Sequence, residues 1–229
     1  MTTFFPVHVA GQIIAFDILT ASLFLAALLR ALDALALPPS QGNRWKWCCS
    51  GVVLAWFVGA LVAAPRDPSA PFIVLVAAVY GPLLIGIVLF RSSTYRDVVE
   101  TIPQSWLAGI HTVRIVFGYA FIAIYELGGL PPEFAISAAY GDIVSGFVGG
   151  IAAYLAFTGH RSARAALIAW NVIGIADFLS VVPLARMHVG PEAPATSYFP
   201  LYLIPGFAVP ILFLLHVYSV RRLWLDRLR

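Results

Sequence analysis

Residues 106–125 read WLAGIHTVRIVFGYAFIAIY. An α-helix of that length rises about 30 Å at 1.5 Å per residue, which is the thickness of a bilayer's hydrocarbon core. Arg114 stands near its middle, and His111 lies three residues before it. A cation at that depth costs roughly 2.5–3.5 kcal/mol. The stretch therefore predicts a membrane helix in which Arg114 meets a buried partner or a watery cavity, and it places the interest of the protein at mid-membrane.

The rest of the chain agrees with that class. Of its 229 residues, 61% are hydrophobic and only 11% charged, too few charges to cover a soluble globule of this size. Seven apolar spans, each near the length that a bilayer requires, cover approximately residues 9–29, 48–64, 72–90, 105–126, 140–158, 166–187 and 205–220. Proline and glycine mark the breaks between them, at Pro38-Pro39, from Pro65 to Pro71, at Gly128-Gly129 with Pro131-Pro132, and at Gly159. The connection 188–204 holds three prolines and reads either as an ordered cap or as a spacer. The expected fold is an all-α, polytopic bundle of seven transmembrane helices forming a single domain over residues 1–229.

The first span does not read as a signal peptide, because no Lys or Arg precedes it and Asp17 interrupts it. The net charge of +3 is carried by short loops between spans, so it orients the chain in a membrane and does not suggest nucleic acid. Eleven cations, including Arg30, Lys46, Arg96, Arg164 and Arg221, fall on one side and two, Arg66 and Arg186, on the other. That asymmetry puts the N-terminus outside and the C-terminus in the cytoplasm, and it implies a cell inner (plasma) membrane. Cys48 and Cys49 are adjacent, without disulfide geometry or metal-ligand spacing, and they read as small apolar residues at a helix end.

The polar residues inside the spans carry the functional reading. Gln104, His111, Arg114 and Gly118 are spaced by seven, three and four, so they share one helix stripe. Asn171, Gly174 and Asp177 recur at intervals of three, and Asp177 falls at the depth of Arg114. An ion pair between Arg114 and Asp177 neutralises both. His111 and His216 fall within about 5 Å of each other in depth, and each reads either as a helix–helix hydrogen-bonding residue or as part of a site. Toward the outer side lie Asp17, Glu126, Glu133 and Asp142, the last reading either as a helix-start carboxylate or as a site residue. Gly141, Ser145 and Gly149, beside Gly146 and Gly150, form a small-residue face for close helix packing.

Several chemistries are set aside. There is no H-E-x-x-H, G-x-S-x-G, CxxC or Walker loop. A retinal Schiff base is excluded, since the only lysine is Lys46, in a loop. A repeat like that of small sugar transporters finds only faint support in Tyr80-Gly81-Pro82 and Ala208-Val209-Pro210. A haem held by His111 and His216 is sterically conceivable among aromatic walls, but a second histidine pair for transmembrane electron transfer is missing.

The run Pro103-Gln104-Ser105-Trp106-Leu107 with His111 and Arg114, then Leu130-Pro131 with Phe134-Ala135, Gly141-Asp142, Asn171 with Gly174 and Asp177, and Ile204-Pro205 with Val209-Pro210 and His216, resembles an uncharacterised family of small bacterial multi-pass membrane proteins. The resemblance covers roughly residues 102–220. It implies the fold and groups Arg114, Asp142, Asn171, Asp177 and His216 as a set; it brings no activity with it, and a glutamine often stands at the position of His111 in that family.

The expected function is binding or transport of a small or amphipathic molecule, or an ion, at a polar pocket among the fourth, sixth and seventh spans, lined by His111, Arg114, Asn171, Asp177 and His216 with Asp142 nearby. An integral membrane enzyme acting on a lipid-soluble substrate, for example an isoprenoid, with a buried aspartate as acid, is the alternative. A structural or haem-binding subunit of a membrane complex is the third reading. Membrane lipids are the other expected contacts.

Overall fold

The computed structural model describes residues 6–63, 72–188 and 199–226, and among these the chain is entirely helical. In order come α1 (Val7–Ala34), α2 (Pro39–Ala63), α3 (Phe72–Leu89), α4 (Ser93–Thr101) and α5 (Gln104–Gly109), then a 3-10 turn (Ile110–Val113). Next are α6 (Arg114–Glu126), α7 (Pro132–Phe157), α8 (Ala163–His188), a π-turn (Ile204–Ala208) and α9 (Val209–Leu225). Six stretches among the described residues are long and apolar enough to cross a membrane: Val7–Ala34, Pro39–Val62, Gln104–Glu126, Pro132–Phe157, Ala163–Ala185 and Ile204–Leu225. This fits a membrane-embedded, multi-pass protein. Large apolar side chains such as Tyr119, Phe147, Ile151 and Leu179 point outward, where lipid replaces water as their solvent.

Several boundaries differ from the sequence reading. The expected span 140–158 begins eight residues earlier, at Pro132. Proline is tolerated at the first helical position, where its missing N–H has no intrahelical partner. The doublet Pro131-Pro132 therefore starts this helix, where the sequence suggested a longer break. The span 105–126 is continuous in direction, but its middle tightens into the 3-10 turn. The segment between the expected third and fourth spans, read as a loop, holds the amphipathic α4 (Ser93–Thr101), capped by the Ser92 hydroxyl and burying Val98 and Val99. Two positive-φ glycines end helices: Gly128 (φ 73°) after α6 and Gly159 (φ 67°) after α7. Most of the connection read as a cap or spacer, residues 189–198, lies outside the described residues, as does the break at residues 65–71.

Packing is tightest where side chains are smallest. α7 lies along α6 and α8. A Cβ at Gly118 would stand 2.6 Å from the Ala139 carbonyl oxygen, and one at Gly146 would stand 3.2 Å from that of His111. The small-residue face of α7 is thus a packing surface, as its spacing predicts. One end of the bundle is stitched by cations. Arg221 binds Glu100 at 2.6 Å, Arg222 donates to the Ile102 carbonyl at 2.7 Å and to that of Glu100, Arg164 donates to the Leu223 carbonyl at 3.3 Å, and Arg30 lies over the Trp106 ring. Lys46 and Asp33 join α1 to α2.

Candidate functional site: a buried arginine between two aspartates

Arg114 is the first residue of α6 and has no exposure at all. Its Nε donates to Asp142 Oδ1 at 2.7 Å, and its Nη2 donates to Asp177 Oδ2. The guanidinium also lies over the Phe178 ring, 4.2 Å from its centroid. The expected pair with Asp177 is present, but it is half of the arrangement. Asp142, on α7, is the second partner, ten residues in from Pro132 and far from the positive end of that helix. The helix-start reading of Asp142 followed from placing the start at residue 140, and it is corrected here.

Glycine makes the triad possible. A Cβ at Gly141 would overlap the Asp177 carboxylate, so α7 can approach α8 closely enough for both aspartates to reach one guanidinium only because no side chain intervenes. Gly174, on α8, plays the same part for His216: a Cβ there would press on His216 Nε2 and stand 3.4 Å from Arg114 Nη1.

Beside the triad runs a directed chain of hydrogen bonds. Asn171 Nδ2 donates to the Leu167 carbonyl at 2.8 Å and to Ser219 Oγ at 2.9 Å. Both amide hydrogens are thereby used, and Asn171 Oδ1 is left to accept from His216 Nδ1 at 3.0 Å. Ser219 Oγ donates onward to Gln104 Oε1 at 2.7 Å, while Gln104 Nε2 donates to the Ser219 carbonyl at 3.1 Å. The chain puts a proton on His216 Nδ1, and Nε2 faces the Gly174 backbone as Arg114 Nη1 does. Neither Nε2 nor Nη1 has a hydrogen-bond partner among the described residues, nor do both His111 nitrogens, Trp170 Nε1 and Ser145 Oγ.

The two histidines, whose similar depth left open whether they face each other, meet across the bundle. Their ring centroids are 4.3 Å apart, and Trp170 packs on both, 4.8 Å from His111 and 4.4 Å from His216. Rings in contact leave no gap for a porphyrin, so a haem ligated by this pair does not fit. Among the described residues no group of three or more His, Cys, Asp and Glu side chains is arranged to hold a metal ion.

A cavity of about 490 Å³ opens between α3, α6, α7, α8 and α9. Its walls are apolar, with Phe121, Phe134, Phe178 and Phe213 among them, and Asp142 and Asp177 are the charged residues that reach it. The expected pocket was a polar one among three helices, lined by both histidines, Arg114 and Asn171. The structure corrects this: His111, Arg114, Asn171 and His216 lie packed behind the carboxylates and do not line the space. The polar side chains pack against and position one another, with several of their atoms left unbonded, and of the charged groups the two carboxylates reach the apolar void. Glu126 and Glu133 sit exposed near helix ends, and Asp17, on α1, is wholly buried without making a bond to the triad.

Ser219, which sequence reading passed over, is needed to hold Asn171. Its signal is the spacing of three from His216, which puts both on one face of α9. Replacing Asn171 with leucine strands the proton on His216 Nδ1 and takes from Ser219 Oγ the donor it accepts from, though its own bond to Gln104 remains, and is expected to cost about 1–3 kcal/mol. The loss is measured as a drop in melting temperature in detergent. Adding Ser219→Ala should cost less than its separate effect, because the partner is already gone.

A family model described as Domain of unknown function (DUF8737) matches residues 71–224, more than half of the chain, from α3 to α9 and including the whole triad. No curated protein and no solved structure matches the chain.

Proposed function

The chain belongs to that family of unknown function, and from this premise we propose that it is a carrier or receptor for a small amphipathic molecule, bound from within the bilayer. The apolar body of the ligand occupies the cavity, and its polar head meets Asp142 and Asp177. The observation that carries this reading is the pairing of a cavity in the 300–1,000 Å³ range of small-molecule sites with two carboxylates on an otherwise apolar lining. A buried ionisable cluster in a membrane span costs too much to serve packing alone. A membrane enzyme with one aspartate as acid uses the same geometry, and it differs in converting the bound molecule.

The test is to recover what the protein carries. Native mass spectrometry of the purified chain should find a copurifying amphiphile, unaltered on incubation. Ala138→Trp, which puts an indole into the cavity wall, should cut its occupancy about tenfold or more. An occupancy unaffected by that substitution overturns the reading, and turnover of the amphiphile favours the enzyme.

The same reading takes α3 as a seventh crossing: its 18 residues carry no charge. With the cation asymmetry, it places the N-terminus outside the plasma membrane and the C-terminus in the cytoplasm. In a chain with Cys48 and Cys49 replaced by serine, single cysteines at Ser40 and Leu127 should label from opposite faces of intact cells. Labelling of both from one face refutes that topology.

A further inference from the structure

We infer that the cavity selects a singly charged cationic amphiphile and takes it up in exchange for one proton, an inference that rests on the cavity's being a ligand site. The argument begins with charge. Two carboxylates share one guanidinium, so the triad with both aspartates ionised carries one excess negative charge. In an apolar surround an uncompensated charge is costly. One proton or one cationic head removes it, and both together overshoot.

Access points the same way. The Arg114 side chain has no exposure, while those of Asp142 and Asp177 keep 12% and 9%. Two guanidinium nitrogens are engaged by Asp142 Oδ1 and Asp177 Oδ2 and the plane lies over Phe178, while the unbonded Nη1 is buried beside Gly174, which does not line the cavity. Asp142 Oδ2 and Asp177 Oδ1 have no hydrogen-bond partner among the described residues, and both side chains line the cavity. Asp142 is 8% exposed as a whole residue and 12% as a side chain, and it lines that space. An entering head group therefore meets acceptor oxygens first, and an anion is turned away from the arginine behind them.

Among the described side chains no other group supplies the missing positive charge. From α9, His216 gives its Nδ1 proton to Asn171, and a second proton, on Nε2, would sit beside Arg114 at Gly174 and not in the cavity. From the 3-10 turn, His111 is packed into the rings of Trp170 and His216, away from the cavity. From α3 the lining titratable residue is Tyr80, and Asp17 of α1 makes no bond to the triad. The side chain of Arg186, next to the lining residue Ala185, is not among those described.

The experiment compares ions of one shape and opposite sign. Tetraphenylphosphonium, tetraphenylborate and neutral triphenylphosphine oxide are titrated calorimetrically into the full chain in a non-ionic detergent, in buffers of differing ionisation enthalpy. The phosphonium should bind about tenfold or more tighter than the borate. It should release up to one proton per ion bound, with affinity falling by up to about tenfold per pH unit as acid loads the pair. Asp177→Asn, which leaves Arg114 with Asp142 as a neutral pair, should lose the phosphonium preference and the proton release; Asp142→Asn tests the same if the first variant does not fold. Borate binding equal to or tighter than phosphonium binding overturns the inference, as does phosphonium binding unchanged in the asparagine variant. If the neutral oxide binds, is blocked by Ala138→Trp, and the phosphonium does not bind, charge selection fails and the ligand cavity stands. If no probe binds, both fail.

Discussion

Arg114→Leu is expected to be the most damaging single substitution within the bundle, costing about 3–5 kcal/mol as a buried ionic arrangement loses its one cation. Two carboxylates are then left side by side without a counter-charge, and the leucine offers neither a donor nor the flat stack on Phe178. Asp177→Asn should be far milder, because Arg114 keeps Asp142 and the remaining pair is neutral. The structure thus changes the rescue expected from a simple pair. Arg114→Leu with Asp177→Leu still leaves Asp142 buried without its partner, so that double variant recovers only part of the loss. The triple variant Arg114→Leu, Asp142→Leu, Asp177→Leu should recover most of it, since an apolar replacement of a whole buried ionic group is often neutral. Melting temperatures of the four variants in one detergent check the order. Equal losses for Arg114→Leu and Asp177→Asn would show that the shared guanidinium is not what holds the cluster.

Gly118→Ala is expected to cost about 1–3 kcal/mol through overpacking. The added carbon would lie 2.6 Å from the Ala139 carbonyl oxygen and 2.6 Å from Ile143 Cγ1. Part of that obstacle is helix backbone, so α6 and α7 must separate, and the separation draws Asp142 away from Arg114. Gly59→Ala is the internal control: nothing lies within 4 Å of its new carbon, and removing a helical glycine gains roughly 0.5–1 kcal/mol. Opposite shifts in melting temperature for two chemically identical substitutions separate packing from helix propensity. A Gly118→Ala protein that melts with the unaltered chain would mean that the two helices are not in close contact.

Where sequence reading succeeded, the governing physics was local or nearly so. The apolar runs declare their helices because unpaired backbone groups are not tolerated in hydrocarbon, and the glycine-ended helices follow from φ alone. Arg114 announces a buried partner because a lone cation at mid-depth is too costly. The spacing of Asn171, Gly174 and Asp177 places them on one face, and that face does look inward. What misled was also local. The doublet Pro131-Pro132 is compatible with a break and with a helix start, and choosing the break put Asp142 at a helix end when it sits well inside α7. α4 was missed because its apolar content is only Tyr95, Val98 and Val99, and its end is held by cations from α9 that lie more than a hundred residues away in the chain.

That the protein is helical and membrane-embedded, that Arg114 needs a counter-charge, and that the polar residues of the middle spans turn away from lipid are all legible in the order of its residues. How those polar residues divide is settled by the way the helices pack. Helix azimuth and crossing distance, set by Gly118, Gly141, Gly146 and Gly174, bring two aspartates to one arginine. They also turn both histidines and Asn171 into the packed interior and leave the carboxylates at the edge of an apolar cavity. The physical reason is that a spacing of three or four fixes which side of a helix a residue occupies. Which neighbour that side meets, and whether packing between them closes or leaves a void, depends on contacts between segments far apart in the chain.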